Sequence, residues 1–350
     1  MSAKGSLGFV GYGRFGAALG SLFREAGHEV LAWDPAIDAV PGDVRASSLD
    51  DLAARAGTLL VAVPVPEIRG TLEALRPRLT GEHQVFDVGS VKTGPYAAMD
   101  EILGAAVPWA GTHPLFGPVS LLRGERPLRV VVCASPLHPA AAASARALFG
   151  GIGCEVIDEA PAEHDRAMAW THALAFFVAK GMLDAGAPAD APNAPPSFQA
   201  IARTIETVRA DAGHLFGVLH RDNPFSAEAR RALLNALGKL DATLGAPASS
   251  TAPPLSIPDL GAKAPDLGAT RELIDEVDDE ILALLSRRAL LARRAGAAKA
   301  SKGLAVRDPE REASLLEARR KKAEARGLDP DAVGEIFEAV LSFSRKVQER

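Results

Sequence analysis

Two short loops hold side chains that could carry acid–base chemistry. The first is the motif DVGSVK, residues 87–92, and the second is GTHPLFGP, residues 111–118, which contains His113. Each follows an apolar run that predicts a buried strand, and open parallel sheets bind ligands beyond the carboxyl ends of their strands. A histidine placed there can accept a hydroxyl proton, because its unperturbed pKa lies close to neutral. Three other histidines lack this setting and are expected at the surface: His28, His83 and His138.

A glycine-rich turn near the N-terminus predicts a dinucleotide site. The motif GYGRFG stands between a short apolar run and a helical one, and a second apolar run then ends in Asp34. The glycine spacing allows a tight turn, close approach of the backbone to a pyrophosphate and close helix–strand packing. The Asp34 carboxylate can bind a ribose 2′-hydroxyl and would repel a 2′-phosphate, which favours NAD over NADP. The predicted cofactor-binding residues are Gly11, Gly13, Arg14, Phe15, Gly16 and Asp34.

Alternating apolar runs and helical patterns predict an α/β, Rossmann-type, doubly wound parallel sheet in the front of the chain. The predicted strands are 7–10, 30–33, 58–63, 84–88, 109–112 and 130–133. An alanine- and leucine-rich stretch without strands then predicts an all-α domain, and clustered Pro, Ala and Ser predict a linker. The expected domains are 1–160, 161–245, the linker 246–266, and an all-α three-helix domain at 267–350.

The last domain combines one long amphipathic helix with two shorter ones. Asp308 followed by Pro309 is typical of a helix start. Arg288 and Lys299 are 11 residues apart and therefore lie within about 20° of each other around the first helix, whereas Arg271 lies about 100° away. That helix, about 46 Å long, is too long for the remaining helices to cover. We therefore expect a homodimer in which a second subunit covers it.

Composition excludes several classes of function. The 350 residues carry a formal net charge of −5, which gives no reason to expect nucleic-acid binding. Only two cysteines occur, without paired spacing, which suits a reducing compartment and no metal site. No apolar run is long enough for a membrane span, and the first strand follows the N-terminus too closely for a signal peptide. The expected location is the cytoplasm.

The front motifs, together with EHDRAMAWTHALAFF at 163–177, resemble the prephenate dehydrogenase family over residues 7–244. The resemblance implies NAD-dependent oxidative decarboxylation of prephenate to 4-hydroxyphenylpyruvate. It implies that Ser90 orients the ring hydroxyl and the nicotinamide, that His113 is the base, and that His172 lies near the substrate side chain. Two residues of the EHD signature are expected to be structural: His164 and Asp165.

The same family places an arginine on the substrate carboxylates. Arg203 and Arg209 are the two candidates in the helical domain, and the motif does not choose between them.

Residues 267–350 resemble the all-helical chorismate mutase family, without a gap. The resemblance implies that arginines hold the two carboxylates of chorismate while the Lys and Gln pair faces the ether oxygen. The rearrangement to prephenate is pericyclic, so catalysis needs a held conformer and charge stabilisation rather than a nucleophile. The positions that carry the family pattern are Arg271, Arg288, Lys299, Asp308, Arg311, Glu312, Ser344 and Gln348.

The two resemblances support each other, because the product of the second reaction is the substrate of the first. The leading hypothesis is an enzyme that converts chorismate to prephenate and then to 4-hydroxyphenylpyruvate. Two alternatives stay open. One keeps both chemistries on arogenate or on the 4-amino-4-deoxy analogues of chorismate and prephenate, and the other is a regulatory module that binds an aromatic metabolite.

Overall fold

The computed structural model describes residues 6–36, 38, 40–188, 193, 195, 198–199, 201–202, 204–206, 214–245, 267–300, 303, 305 and 307–348. At 123, 214, 267–276, 279–280 and 283 it describes the backbone alone. These residues form two compact units. The first contains the whole sheet and the helices of the chain up to Gly245, except residues 122–126, and the second contains those five residues and the three C-terminal helices. The predicted linker, 246–266, lies outside the described residues.

Seven strands form one sheet in the order β2-β1-β3-β4-β5-β6-β7. Strands β1 to β5 are parallel, as predicted, but β6 runs antiparallel to β5 and β7 runs parallel to β6. The prediction of an entirely parallel sheet is therefore wrong at this end. The edge strand β7 was not predicted, because its residues CEVID hold only two adjacent apolar residues between two acids, which is too short a run to indicate a buried strand. The strands are β1 Ser6–Val10, β2 Val30–Trp33, β3 Ala56–Val61, β4 Gln84–Asp87, β5 Trp109–Pro114, β6 Leu128–Cys133 and β7 Cys154–Asp158.

The helices of the first unit cover the sheet and then continue as an all-helical part. They are α1 Arg14–Glu25, α2 Leu49–Arg55, α3 Ile68–Leu75, α4 Thr93–Ile102, α5 Pro118–Arg123, α6 Pro139–Gly151, α7 Pro161–Met168, α8 Leu174–Asp184, α9 His214–Gly217 and α10 Ser226–Gly245. Two π-helical turns interrupt this pattern: Ala169–Ala173 joins α7 to α8, and Val218–Asp222 follows α9. Such turns occur frequently at functional sites.

Successive strand residues face opposite sides of the sheet, and each side has its own core. In β3, Leu60 packs in the cluster that contains Leu19 and Phe23 of α1. Its neighbours Leu59 and Val61 pack in the cluster of α2, α3 and α4. In the sheet, β2 lies beside one edge of β1 and β3 lies beside the other edge, so the strand order reverses direction at β1. The carboxyl ends of β1 and β3 are therefore the topological switch point, where a ligand crevice is expected.

The second unit consists of α11 Leu267–Ala300, α12 Pro309–Glu324 and α13 Pro330–Gln348. The Asp308 side chain accepts from the Arg311 backbone N–H at 3.0 Å and Pro309 begins the helix, so the predicted start of α12 is confirmed. Leu341 and Ser344 of α13 are buried. None of the helices in the described part of the chain is long and apolar enough to span a bilayer.

One expectation about the surface is wrong. His83 is buried, and its ring accepts from the Thr80 backbone N–H at Nδ1, 3.0 Å, which leaves Nε2–H to donate to the Ala53 carbonyl at 3.0 Å. The imidazole joins α2 to the turn before β4 and has a structural role.

Candidate active sites

The glycine turn between β1 and α1 closes tightly against β3. Gly11 has a φ of +92°, and a Cβ there would lie 2.7 Å from the Ala62 carbonyl oxygen. A Cβ on Gly16 would lie 2.5 Å from the Gly11 carbonyl oxygen. Both positions therefore require glycine for reasons internal to the protein.

Gly13 differs, because a Cβ there would meet no protein atom within 4 Å. This residue is the N-cap of α1, and neither a side-chain cap nor an acidic residue occupies the first turn of that helix. The N–H groups and positive dipole end of a helix N-terminus bind phosphate groups. The free space beside Gly13 therefore fits the pyrophosphate of a dinucleotide. Of the neighbouring predicted residues, Arg14 is exposed and Phe15 packs against Phe116 with ring centroids 6.3 Å apart.

Asp34 lies beside this turn at the carboxyl end of β2. Its two carboxylate oxygens accept from the backbone N–H groups of Tyr12, 2.7 Å, and Ala36, 2.9 Å. The carboxylate is only partly buried, so its remaining lone pairs can meet a ribose hydroxyl. The structure thus brings the predicted cofactor residues together around the end of β1.

A buried ion pair stands behind the DVGSVK loop. Lys92 and Asp87 are both fully buried, and the Lys92 ammonium contacts the Asp87 carboxylate and donates to the Thr112 carbonyl at 2.6 Å. Asp87 also accepts from the backbone N–H groups of Gly89 and Thr112, at 3.0 and 3.2 Å. These contacts fix the ends of β4 and β5 to each other. They therefore fix the loop that carries Ser90, which is half-buried, relative to the end of the strand that carries His113.

His113 belongs to a chain of buried side chains that connects the sheet to the helical part. Its Nδ1 lies 2.8 Å from Nε2 of His164, and the His164 Nδ1 lies 2.8 Å from the Asp165 carboxylate. Asp165 accepts in turn from the backbone N–H groups of Lys92, 2.7 Å, and Thr93, 2.8 Å. The EHD residues, which the sequence interpretation had assigned to structure alone, thus lie directly behind the predicted base.

The order of acceptors fixes the tautomers in this chain. A carboxylate can only accept, so His164 carries its proton on Nδ1 and presents an unprotonated Nε2 to His113. His113 must then donate from Nδ1, which leaves the lone pair on its own Nε2. The arrangement gives His113 the form that a general base requires.

Burial sets the protonation of these groups. Desolvation, helped by the neighbouring His164 and by the Lys92 charge, lowers the pKa of His113 well below its ordinary value. Burial alone would raise the pKa of Asp165, but hydrogen bonds from His164, Thr93 and Lys92 outweigh it and hold that pKa low. The chain therefore stays uncharged on His113 and negative on Asp165 near neutral pH.

His172 lies in the first π-helical turn, as a predicted substrate residue. Its ring packs edge-on against Phe176 with centroids 4.6 Å apart, and burial lowers its pKa to about 4. The two arginines expected to meet the substrate carboxylates, Arg203 and Arg209, lie outside the described residues.

In the second unit, α11 and α13 meet through two predicted residues. The Arg288 Nε donates to the Ser344 hydroxyl at 3.0 Å, and that hydroxyl donates to the Val340 carbonyl at 2.8 Å. Burial, with a contribution from the Arg319 charge, lowers the pKa of Arg288. A guanidinium held beside a second cation is suited to an anionic ligand.

The other predicted residues of this unit fall at two places. Near the start of α12, Glu312 accepts from the Arg345 guanidinium at 2.8 Å, a partner that sequence reasoning missed. At the end of α13, Gln348 packs against Gly296, where a Cβ would lie 3.2 Å from its Cγ. The buried Gln348 Oε1 has no partner among the described residues. Lys299 lies one turn beyond Gly296 on α11, and the side chain of Arg271 lies outside the described residues.

Two family models match the chain. Residues 270–349 match the model described as chorismate mutase type II, and residues 36–124 match the model of the prephenate dehydrogenase nucleotide-binding domain. Each match falls on one of the two compact units.

Curated relatives match the chain in parts. A chorismate mutase of Methanocaldococcus jannaschii is 30% identical over 84 residues, which are 24% of this chain and 85% of that protein. A T-protein of Enterobacter agglomerans is 43% identical over 79 residues, 23% of this chain and 21% of that protein. Arogenate dehydrogenase 1 of Arabidopsis thaliana is 27% identical over 233 residues, 63% of this chain. The chain spans only 21% and 36% of the length of the last two relatives.

Solved structures share the fold. A structure from Corynebacterium glutamicum, named a putative prephenate dehydrogenase, superposes with a TM-score of 0.60 at 19% identity, over 80% of this chain and 90% of that one. A prephenate dehydrogenase from Aquifex aeolicus with hydroxyphenyl propionate and NAD+ superposes with a TM-score of 0.54 at 16% identity, over 68% and 90%.

Proposed function

The chain belongs to the chorismate mutase type II family through residues 270–349, and on this premise we propose that it is a bifunctional enzyme of tyrosine biosynthesis. The second unit converts chorismate to prephenate, and the first oxidises and decarboxylates prephenate to 4-hydroxyphenylpyruvate with NAD. The observation that carries the dehydrogenase half is the buried chain from Asp165 through His164 to His113 at the edge of the sheet where ligands bind.

The tautomer of His113 is suited to the proton transfers that this reaction requires. Its unprotonated Nε2 would take the ring hydroxyl proton, and NAD, when bound, would supply the acceptor for the hydride that leaves the carbon bearing that hydroxyl. The resulting ketone draws in the electrons of the carboxylate as CO2 leaves, the ring becomes aromatic, and His113 returns the proton to the phenolate oxygen. During this cycle His113 is cationic, and the Asp165 charge stabilises it through the intervening His164.

The glycine turn and Asp34 support NAD as the cofactor. The helix N-terminus at Gly13 would hold the pyrophosphate, and Asp34 would bind the ribose hydroxyls. Ser90, at the end of β4, would orient the ring hydroxyl and the nicotinamide.

In the mutase half the residues need only hold and polarise the substrate. Arg288, kept in place by Ser344, would clamp one carboxylate of chorismate. Lys299 and Gln348, on neighbouring turns of α11 and α13, would stabilise the charge that develops on the ether oxygen. Asp308, Arg311 and Glu312 would shape the start of α12 around the substrate.

The dimer forms part of this proposal. Four apolar residues of α11 remain between 44% and 60% exposed within the single chain: Val277, Ile281, Leu284 and Leu291. Such a row along a long helix is suited to burial against a second copy. Each mutase site would then take Arg271 from the opposite subunit.

A mixed dimer tests the shared site. Arg271→Ala and Arg288→Ala homodimers should each be nearly inactive as mutases. In a mixed dimer, one active site contains both substituted residues and the other active site contains neither. Refolding an equal mixture makes about half of the dimers mixed and should restore about a quarter of the wild-type activity. A refolded mixture that is dimeric and still inactive would show that Arg271 acts within its own subunit.

The decisive experiment for the whole proposal is NADH formation. Chorismate plus NAD and prephenate plus NAD should both produce NADH. His113→Asn should abolish NADH formation and leave chorismate consumption intact, while Lys299→Ala should do the reverse. If the wild type acts only on 4-amino-4-deoxychorismate and 4-amino-4-deoxyprephenate, or only on arogenate, the assigned substrate is wrong. A protein that binds these compounds without turnover would be the regulatory module instead.

The domain division at 160, 245 and 266 and a cytoplasmic location complete the proposal. Two buried thiols, Cys133 and Cys154, suit a reducing compartment, and burial raises the pKa of the Cys133 thiol to about 12.

A further inference from the structure

A second histidine occupies the other π-helical turn of the first unit. His220 lies in Val218–Asp222, and its side chain is only 9% exposed. This turn packs against the π-helical turn that carries His172 and against residues 65–67, which follow β3 at the edge of the switch point. His220 therefore lies at the helical wall of the predicted crevice, near the residue already expected to meet the substrate side chain.

Arg230 determines the tautomer of this imidazole. Its Nη1 donates to the His220 Nδ1 at 3.0 Å and to the His220 carbonyl at 3.1 Å. A guanidinium cannot accept a hydrogen bond, so Nδ1 must be unprotonated. Burial, the Arg230 charge and His172 lower the pKa of His220 to about 4, and the ring is neutral at working pH. A neutral ring with a free Nδ1 carries its proton on Nε2.

That Nε2–H group has no protein acceptor. The atom is buried, and no hydrogen-bond partner for it exists among the described residues. The rings of Phe216 and Phe177 pack beside the imidazole, with centroids 4.4 and 5.8 Å away. Native proteins satisfy most buried donors, so an unpartnered buried donor in a turn that packs against the edge of the switch point indicates an acceptor on the ligand.

We propose that the Nε2–H of His220 donates to the 2-keto oxygen of the substrate side chain, with Arg230 as the residue that positions it. The inference rests on the proposed dehydrogenase function and deepens it. In the described part of the chain, the charge that acts on His220 near neutral pH is that of Arg230, because burial keeps His172 uncharged. A keto oxygen can accept from the Nε2–H, whereas a 2-ammonium group has no lone pair to offer and is repelled by the Arg230 charge. His220 thus selects prephenate over arogenate.

The test compares the two substrates in His220→Phe. With prephenate, KM should rise by about 10- to 100-fold, the effect expected when a buried acceptor is left without its donor, while kcat changes less than about threefold. The ratio of kcat/KM for prephenate to that for arogenate should fall by about 10-fold or more. His220→Gln, which retains an N–H donor, should recover part of the ratio. Thermal unfolding and the Kd for NAD check that both variants fold.

Arg230→Gln tests the positioning role, with the adjacent and exposed Arg231→Gln as its matched control. Loss of the Arg230 donor should allow both tautomers, which 15N NMR of labelled histidine resolves, and the substrate ratio should fall as in His220→Phe. Arg231→Gln should leave both unchanged. A folded His220→Phe that keeps the wild-type ratio would overturn this inference and leave the proposed function intact. A wild type that makes NADH from neither substrate would overturn both.

Discussion

The Nε2 atom of His164 lies 2.8 Å from Nδ1 of His113, although the two residues are 51 positions apart in the chain. The contact joins α7, which carries His164, to the end of β5, which carries His113. It makes the tautomer of His113 depend on how α7 packs against the sheet. Both rings are buried, so no water competes for this hydrogen bond.

Asp165→Asn should lower the dehydrogenase kcat by about 100-fold or more, because general-base catalysis contributes about 100- to 10,000-fold. Asparagine removes the charge that stabilises the cationic His113, and its N–H₂ group must face an N–H donor at either oxygen position, Lys92 or Thr93. Stopped-flow or steady-state NADH formation with saturating prephenate measures the effect.

Glu163→Gln is the matched control for this change, since Glu163 is exposed and lies two residues earlier in the same helix. It should retain wild-type kcat. If Asp165→Asn stays within about threefold of the wild type while folded, the chain from Asp165 to His113 has no part in the base.

Dehydrogenase kcat/KM should remain level as the pH falls through about 6.5, the ordinary pKa of histidine. The pKa of His113 lies well below that value because its burial disfavours the cation. The base is therefore neutral and competent at a pH where an exposed histidine would be half protonated, and activity declines only further to the acid side. Mutase activity and far-UV circular dichroism, recorded in the same buffers, separate titration from unfolding. An inflection at or above pH 6.5 would contradict the buried-base model.

The features of the fold that depend on residues close together in the sequence were predictable. The GYGRFG turn, Asp34 and the start of α12 at Asp308 are specified by residues close in sequence, because turns and helix caps depend on neighbouring backbone. The position of His113 at a strand end also follows from the apolar run before it. The antiparallel direction of β6 does not, since a run such as LRVVVC has the same pattern in either direction.

Lys92→Met should destabilise the first unit by about 3–5 kcal/mol, because it leaves the Asp87 carboxylate buried without its cation. All three tryptophans, residues 33, 109 and 170, belong to this unit, so tryptophan fluorescence during urea unfolding reports on it alone. The double variant Asp87→Asn/Lys92→Met should recover part of the loss, since it removes the unpaired charge. If the single variant lowers the free energy of unfolding by less than about 1 kcal/mol, the Lys92–Asp87 pair is not buried away from water in solution.

Asp34→Asn should reduce the preference for NAD over NADP by about 10- to 100-fold, because a carboxylate beside the ribose repels a 2′-phosphate and an amide does not. Asp38→Asn, a change at a fully exposed nearby acid, should leave the preference unaltered. The ratio of kcat/KM for the two cofactors measures both variants. Equal use of NADP by the wild type would be incompatible with Asp34 at the ribose.

The contacts that sequence reasoning missed are all long-range or buried. Lys92 and Asp165 belong to the DVGSVK and EHD motifs. Nothing in the spacing of these motifs showed that the backbone N–H groups of residues 92 and 93 would bind the Asp165 carboxylate. A lysine in a loop motif is ordinarily a solvated residue, and only tertiary packing made this one fully buried. The informative signal was the EHD triplet, in which a histidine and an acid adjoin at a helix start.

The π-helical turn at Ala169–Ala173 sets the relative orientation of the two halves of one continuous helical segment, which runs from Pro161 to Asp184. Upstream, Asp165 must point at the sheet, and downstream, Phe176 and Ala179 must point into the helical core. If the same residues formed a regular α-helix, the downstream half would be rotated by about 100° relative to the upstream half. Either the carboxylate or the core would then lose its partner. The one extra residue in the turn therefore sets the angle between two surfaces of a single helix that face different partners.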